Sequence, residues 1–411
     1  MGQRFFKQTI RDVDLEGATV LVRVDYNLPL DKKGRIADDL RVRSSLPTLH
    51  YLLDKNCKIV LISHLGRPKD NDKSLSLSIV AEHLAKLINR PVKFVDDCVG
   101  DKVRQVVRHS GPGSITLLEN LRFHKEEETN NHHFAQSIVK AVRPDYFVQD
   151  GFGVVHRSHA STQAITLCVP SVAGLLLVKE YQTITDAMAQ PEHPLVAIIG
   201  GAKIADKIGL IKRFIDKADK ILIGGAMANT FLAYKGLSVG ASLAETDENP
   251  ILDEIYDLAA KKVGPDKVDE FLLLPSDVAV GKSVDEQQRR EVKVSEIGED
   301  DMALDIGSLT IDRYDREIAK AKMVIWNGPV GYSDTKVFSI GSARMALAIA
   351  RNQQVKSIIG GGDTANFILK WDGHDGESFS HISTGGGASL ELMSGNKLPG
   401  IESLLDAHGM G

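Results

Sequence analysis

The chain has 411 residues, 43% hydrophobic and 26% charged, with a formal net charge of −5. That length exceeds one ordinary core and predicts two domains, and the acidic balance argues against nucleic acid or an anionic membrane as main partner. Cys57, Cys98 and Cys168 are odd in number and lack CxxC spacing, which points away from a disulfide framework or a zinc site and toward free thiols in a reducing cytoplasm. The first residues, Met1-Gly2-Gln3-Arg4-Phe5-Phe6-Lys7, lack the apolar core of a signal peptide. No apolar stretch approaches the roughly 20 residues of a membrane span, so the expected location is cytoplasmic.

Apolar, β-branched runs alternate with helical patterns from end to end, the signature of parallel sheets covered by helices on both faces. Strands are predicted at Thr19 to Val24, Lys58 to Ile62, Val92 to Val95, Ile115 to Leu118 and Tyr146 to Val148 in the first half. The second half repeats the rhythm at Leu195 to Ile199, Lys220 to Ile223, Phe271 to Leu274, Met323 to Trp326 and Lys356 to Ile359. Between the halves, Val172 to Met188 reads as one long helix stopped by Pro191 and Pro194. The fold class is therefore α/β: two doubly wound, mainly parallel-sheet (Rossmann-like) lobes, 1–171 and 195–391, joined by a helical hinge at 172–194.

The strand ends of the two halves differ in chemistry. In the first half they carry Asp25 and Asn27, His64-Leu65-Gly66-Arg67, Arg122, and His156-Arg157 with His159, while Arg41 lies in the loop beyond the first strand. Arginine forks pair two-to-two with carboxylate or phosphate, so a substrate bearing both would suit such a set. Scattered arginines are more often solvated surface, and only the fold could unite them. His156 and His159 lack a third ligand at helpful spacing and are better anion binders or structural donors than zinc ligands.

In the second half, four strand ends run into glycines: Gly200-Gly201, Gly224-Gly225, Gly360-Gly361-Gly362 and Gly385-Gly386-Gly387. Bare backbone amides at a helix start attract phosphate, although a single Gly-Gly pair serves a tight turn as readily. Neither GxxxxGK[ST] nor GxGxxG occurs at these turns, which removes support for a P-loop or a dinucleotide fold. Lys203 and Lys207 are four apart at the start of a helical pattern, which predicts two ammonium groups on one helix face. Asp363 reads as an N-cap or as one carboxylate ligand to Mg²⁺.

Taken in order, Arg23-Val24-Asp25-Tyr26-Asn27, His64-Leu65-Gly66-Arg67-Pro68, Glu119-Asn120-Leu121-Arg122-Phe123, His156 to Ser161, Gly200-Gly201-Ala202-Lys203 with Asp206-Lys207, Trp326-Asn327-Gly328-Pro329, Gly360 to Thr364 and Ser383 to Ser389 resemble the phosphoglycerate kinase family. The resemblance implies 3-phosphoglycerate or 1,3-bisphosphoglycerate on the first lobe, ADP or ATP with Mg²⁺ on the second, and reversible phosphoryl transfer between them in a cytoplasmic monomer. It implies Asp25, Asn27, Arg41, His64, Leu65, Gly66, Arg67, Arg122 and Arg157 as acid-substrate residues. Lys207, Gly225, Asp334, Gly361, Gly362, Asp363 and Thr364 become nucleotide residues, with Asp363 toward the metal. Arg41, Lys203, Lys207, Gly385, Gly386 and Gly387 would surround the phosphoryl group in flight. A C-terminal segment, 392–411, is expected to return to the first lobe. The chain departs from the family at Asp334, where glutamate is usual, at Ala226, and at Ser308-Leu309.

Overall fold

The computed structural model describes residues 5–69, 72–245, 247–374 and 376–407. The chain divides into two compact units, residues up to Gln182 together with those from Lys397 onward, and Thr183–Asn396. The division falls inside the helix Leu175–Ala189. Residues 408–411 of the expected returning segment lie outside the described residues.

The first unit is built on six parallel strands: β1 (Thr19–Arg23), β2 (Lys58–Ile62), β3 (Val92–Val95), β4 (Ile115–Leu118), β5 (Tyr146–Gln149) and β6 (Ser171–Ala173), in the order β3-β4-β2-β1-β5-β6. Alternate residues of each strand point to opposite faces. Val20, Val22, Ile59, Leu61, Ile115 and Leu117 enter one core, and Leu21, Val60, Ile62, Leu118 and Phe147 the other. Where both faces are buried, as in β1, β2 and β4, the strands read as nearly unbroken apolar runs rather than as alternation.

The second unit contains β7 (Leu195–Ile199), β8 (Lys220–Ile223), β9 (Leu272–Leu273), β10 (Asp277–Gly281), β11 (Arg290–Lys293), β12 (Met302–Ile306), β13 (Met323–Asn327), β14 (Lys356–Gly360) and β15 (His381–Ile382). Its parallel sheet runs β15-β14-β13-β7-β8-β9. The remaining three strands form a separate antiparallel sheet, β11-β10-β12, inserted before the loop that follows Ile306.

Both parallel sheets reverse direction at a definable crevice. From β7 the chain winds outward through β8 and β9, and from β13 it winds the other way through β14 and β15. From β1 it passes toward β2, and from β5 toward β6 on the other side. Loops that leave adjacent strands in opposite directions open a crevice beyond their carboxyl ends, which is where ligands bind in open α/β sheets.

Two predicted elements are corrected. The helix expected from Val172 begins at Leu175, because Ser171–Ala173 pairs with β5 as an edge strand. Gly174 makes the turn, and a Cβ there would lie 2.1 Å from Asp150 Oδ1. The strand expected at Phe271 to Leu274 is a short helix, Val268–Phe271, followed by the two residues of β9. Residues from Leu398 to Ala407 pack on the first unit: Gln8 N–H donates to the Leu405 carbonyl, Gly400 N–H to the Val155 carbonyl, and Lys7 Nζ meets Asp406 Oδ1 at 2.6 Å.

Asp150 is fully buried at the start of the helix Leu175–Ala189, where Oδ1 accepts from the amides of Leu176 at 3.0 Å and Leu177 at 3.4 Å. Burial pushes its carboxyl up from 3.8 to about 7. The folded chain then holds a proton that the unfolded chain has released, so this group's contribution to stability falls as pH rises from about 4 to 7. Asp150→Asn keeps the Oδ1 acceptor without the charge. Calorimetry should show the variant gaining thermal midpoint over the parent chain at pH 8 and losing that advantage near pH 5. A gap that stays constant across pH would rule out titration as its cause.

Candidate active site

In the first unit the basic residues converge at the β1/β5 crevice. Arg23, at the end of β1, is 1% exposed and does not face solvent as a ligand donor. Its Nε donates to Ser161 Oγ at 2.8 Å, one terminal nitrogen bonds the Val24 carbonyl, and the other lies 3.2 Å from His64 Nδ1. A guanidinium can only donate, so His64 Nδ1 accepts and its proton sits on Nε2. Burial first, then the fields of Arg23, Arg122, Arg41 and Arg157, hold the His64 imidazole well below its ordinary pKa. His64 is therefore neutral, and its 3.9 Å approach to Asp25 is not an ion pair.

Arg41 is positioned by two acceptors from the loop after β1, Asp25 Oδ2 at 3.1 Å and the Asn27 carbonyl at 2.8 Å. Asn27 Oδ1 in turn accepts from Gly66 N–H at 2.8 Å, and the Gly66 carbonyl accepts from Arg122 at 2.6 Å. Arg122 also meets Glu128 at 2.9 Å. Burial lowers the Arg122 pKa, and the fields of Arg157 and Arg67 lower it further. Arg67 is exposed, and Arg157 is half-buried with Nε donating to His156 Nε2 at 3.1 Å. His159 is pushed down to about 4 by burial and by Arg122, Arg23 and Arg157. Asp25, Asn27, Arg41, His64, Gly66, Arg67, Arg122 and Arg157 are thus linked by hydrogen bonds or by one electrostatic field, whereas Leu65, also expected there, is buried in the core.

Three contributors escaped the sequence reading. Glu127 is fully buried and accepts from Ser161 Oγ at 2.6 Å, which places a carboxylate behind Arg23. Asn120, also fully buried, accepts from the amides of Leu65 and Arg122 and donates to the carbonyls of Leu65 and Leu75, so it fixes the His64–Gly66 turn. Arg23 itself was readable as an arginine interrupting an apolar strand, but its structural role was not.

In the second unit a cleft of about 380 Å³ opens at the β7/β13 crevice. It is lined by Gly201 to Lys203, Asp206, Lys207, Asn327 to Pro329, Gly361 to Thr364, Gly386, Gly387 and Leu390. Lys203, Lys207, Gly361, Gly362, Asp363, Thr364, Gly386 and Gly387 therefore meet as one surface. Gly385 and Asp334 are not among the lining residues, and Asp334 lies exposed in the loop after β13.

Two of the four glycine clusters are consumed by packing. Gly201 N–H donates to the Pro329 carbonyl, Gly225 N–H to the Val330 carbonyl and Met227 N–H to the Gly201 carbonyl, all within 2.8 to 2.9 Å. Gly225 has φ +64°, and a Cβ there would lie 2.7 Å from Gly201 N. Its contribution is to let three loops touch, not to offer an amide to a ligand. Gly328 is tighter still, with φ +94° and a Cβ position 2.2 Å from the Gly200 carbonyl oxygen.

The other two clusters open helices toward the cleft. The helix Gly362–Asp372 follows Gly361, and the helix Gly387–Met393 follows Gly386, neither with a side-chain cap. First-turn amides of an uncapped helix are available to an anion. Asp363 is inside the first turn, so Gly361, and not Asp363, is the cap residue.

Lys203 and Lys207 share the cleft but not a helix face. Lys203 precedes a 3₁₀ turn, Ala205–Lys207, and the α-helix starts at Ile208. Lys207 Nζ donates to the Gly200 carbonyl at 2.7 Å and the Asn327 carbonyl at 3.2 Å, bridging the loops on either side of the crevice. Two of its three donors are spent, leaving one for a ligand. Burial pulls its pKa down to about 8, against the opposing fields of Asp363 and Asp206, so it stays mainly cationic at neutral pH.

Comparison with known proteins gives a consistent result. The family model described as phosphoglycerate kinase matches residues 10–396. A phosphoglycerate kinase of Dictyoglomus turgidum is 45% identical over 398 residues, covering 97% of this chain and 98% of that protein. One from Aquifex aeolicus is 43% identical over 402 residues, covering 97% and 98%. Among solved structures, phosphoglycerate kinase from Coxiella burnetii superposes with a TM-score of 0.80 at 32% identity, and that from Pyrococcus horikoshii with 0.82 at 29%, each covering 97% of this chain and 98% of the other.

The loop knot yields a paired test. Gly328→Ala drives a methyl into backbone and is expected to cost about 1–3 kcal/mol of stability, whereas Gly362→Ala meets nothing within 4 Å and should leave stability unchanged. Thermal or urea unfolding of both variants checks this. Equal stabilities would mean that the glycine knot does not hold the cleft.

Proposed function

Because the chain belongs to the phosphoglycerate kinase family, its reaction is the reversible transfer of the acyl phosphate of 1,3-bisphosphoglycerate to ADP, giving 3-phosphoglycerate and ATP in glycolysis; we propose how its residues divide that work. The first unit's arginine face takes 3-phosphoglycerate, with Arg41, Arg67, Arg122 and Arg157 toward its anionic groups and Asp25, Asn27 and neutral His64 toward the rest. The second unit's glycine cleft takes the nucleotide. The observation that carries the reading is Lys207: a half-buried ammonium, tethered by two carbonyls across the crevice and retaining one donor, at a cleft lined by two uncapped helix starts.

Phosphoryl transfer passes through a loose, charge-rich transition state that needs positioning and cationic donors more than covalent help. The attacking atom is an oxygen of a carboxylate or of a phosphate, already anionic, so no general base is required. Lys207, Lys203, Arg41 and the amides at Gly361–Asp363 and Gly386–Gly387 are suited to stabilise the transferred group. For both anions to meet in line, the units must converge and exclude water, and the segment 172–194 is the natural pivot.

Mg²⁺ fits this cleft in one specific manner. Among the described residues no group of three or more side chains could cage a metal, so Asp363 would supply one ligand and water and nucleotide phosphates the others. The bound ion would neutralise the polyphosphate. Asp334, exposed and one methylene shorter than the family's usual glutamate, would reach a nucleotide ribose less directly. Among the described residues no helix is long and apolar enough to cross a membrane. We take the chain to act as a cytoplasmic monomer.

A coupled assay of ATP consumption with 3-phosphoglycerate and Mg²⁺, with acetate as control acceptor, tests the activity directly; absence of turnover on 3-phosphoglycerate would overturn this reading in favour of a sensor of the same ligands or a kinase of another acyl phosphate. Lys207→Ala and Arg41→Ala are each expected to lower kcat by about 10²-fold, the worth of one transition-state donor. A raised KM with unchanged kcat would instead assign that residue to ground-state binding. Because Lys207 loses its charge as pH rises through about 8, kcat/KM for ATP should decline on the alkaline side, and that limb should be absent in Lys207→Arg.

A further inference from the structure

A cavity of about 610 Å³ opens in the first unit at the carboxyl ends of β3 and β4. It is separate from the arginine face, and none of Asp25, Asn27, Arg41, His64, Arg122 or Arg157 lines it. Its volume is that of an ordinary small-ligand pocket. The partition between the two sites is Asn120, whose amide is bonded on both sides, to Leu65 and to Leu75.

The lining chemistry is distinctive. Phe94 and Phe123, both half-buried, bring two aromatic rings from different elements to one cavity. Three carboxylates accompany them. Glu119 is fully committed: Oε1 accepts from the amides of Leu77 and Asn120, and Oε2 from Ser76 Oγ at 2.8 Å. It is wall, not ligand. Asp97 uses Oδ1 on the amides of Cys98 and Val99 and on His124, and Asp96 uses Oδ1 on Lys102. Each of these aspartates keeps Oδ2 as an acceptor among the described residues. The bond to Lys102 holds the Asp96 carboxyl below its ordinary range, so it remains charged. Among the described residues Lys73 is the one ammonium lining the cavity; it is exposed, and its field also helps hold Asp96 ionised.

An anion entering here would meet two aspartates. A cation would meet counter-charges beside two aromatic rings, whose faces attract positive charge. We propose that this cavity is a second small-molecule site, selective for an organic cation carried on a flat apolar body, with Phe94 and Phe123 as its walls and Asp96 and Asp97 as its counter-ions. The site is independent of the acyl-phosphate chemistry, and its ligand has the charge opposite to every substrate of that reaction.

Three probes share one ring and differ in charge: benzamidine, benzamide and benzoate. Titrated into the ¹⁵N-labelled full chain, benzamidine should give saturable amide shifts at 94–99 and 119–124, benzamide should bind about tenfold more weakly, the worth of a charge-assisted hydrogen bond, and benzoate should leave those amides unmoved. Asp96→Asn combined with Asp97→Asn, which preserves the Oδ1 acceptors, should weaken benzamidine about tenfold or more with kcat on ATP and 3-phosphoglycerate unchanged. Phe94→Leu gives a second, charge-neutral variant with the same expected direction. Benzoate binding as well as benzamidine, benzamidine shifts that do not saturate, or affinity indifferent to these variants would overturn the proposal.

Discussion

An anion site built before its anion arrives has to keep positive charges close together, and here the partner that holds them is a backbone carbonyl at the end of a parallel strand. Arg23 bonds the Val24 carbonyl, Arg41 that of Asn27, and Arg122 that of Gly66. In the other unit, Lys207 bonds those of Gly200 and Asn327. A carbonyl satisfies a donor without cancelling its charge. A carboxylate in the same place would neutralise the cation and leave little field for a substrate. Two of these cations also meet a carboxylate directly, Arg41 at Asp25 (3.1 Å) and Arg122 at the exposed Glu128 (2.9 Å), while Glu127 lies behind Arg23, joined to it through Ser161. The lowered pKa values of Arg122, His64 and His159, each led by burial, register the remaining unneutralised field.

This device depends on the crevices. At β7/β13 the outgoing loops diverge, leaving the Gly200 carbonyl to Lys207 and the Asn327 carbonyl shared between Lys207 and the Gly200 amide. The glycines then let the loops lean on one another until Gly200, Gly225 and Gly328 are in backbone contact. That contact fixes the two carbonyls that hold Lys207. At β1/β5, where arginines do the work, the turns are instead pinned by side chains, with Asn27 bonded to Gly66 and Asn120 to Leu65. Long, rotatable side chains need pinned turns; bare amides need close-packed ones.

Much of this was legible in the chain itself. The strands at Lys58–Ile62, Ile115–Leu118, Leu195–Ile199 and Lys220–Ile223 fall where their apolar runs place them, since burial on both faces leaves no competing period. β6 escaped because three edge residues continue without a break into a helical pattern. β11 escaped because a short strand with exposed residues such as Arg290, Glu291 and Lys293 carries little apolar signal, and its partners β10 and β12 each include an aspartate, Asp277 and Asp305, that interrupts the apolar run. At the sites, residue type was informative and duty was not. Composition cannot tell a glycine amide spent on the Pro329 carbonyl from one at an uncapped helix start, nor an arginine that orients His64 from one that faces a ligand. Those distinctions belong to hydrogen-bond partners, which sequence spacing does not specify.

The two units also carry different cations, and the choice accords with the ligands proposed for them. A guanidinium stays charged even when buried and presents a planar fork, which suits several distinct anionic groups on one small acid. Its cost is geometric, because each fork needs an acceptor of its own, and the first unit supplies Val24, Asn27 and Gly66 for that purpose. An ammonium is a point charge whose donors swing, which suits a phosphate that changes shape as its bonds change. Burial weakens Lys207's hold on its proton to about 8, and in the proposed function an arriving polyphosphate would restore that hold. The charge on Lys207 would then be strongest with the cleft filled, and its electrostatic contribution would be coupled to occupancy rather than fixed by the fold.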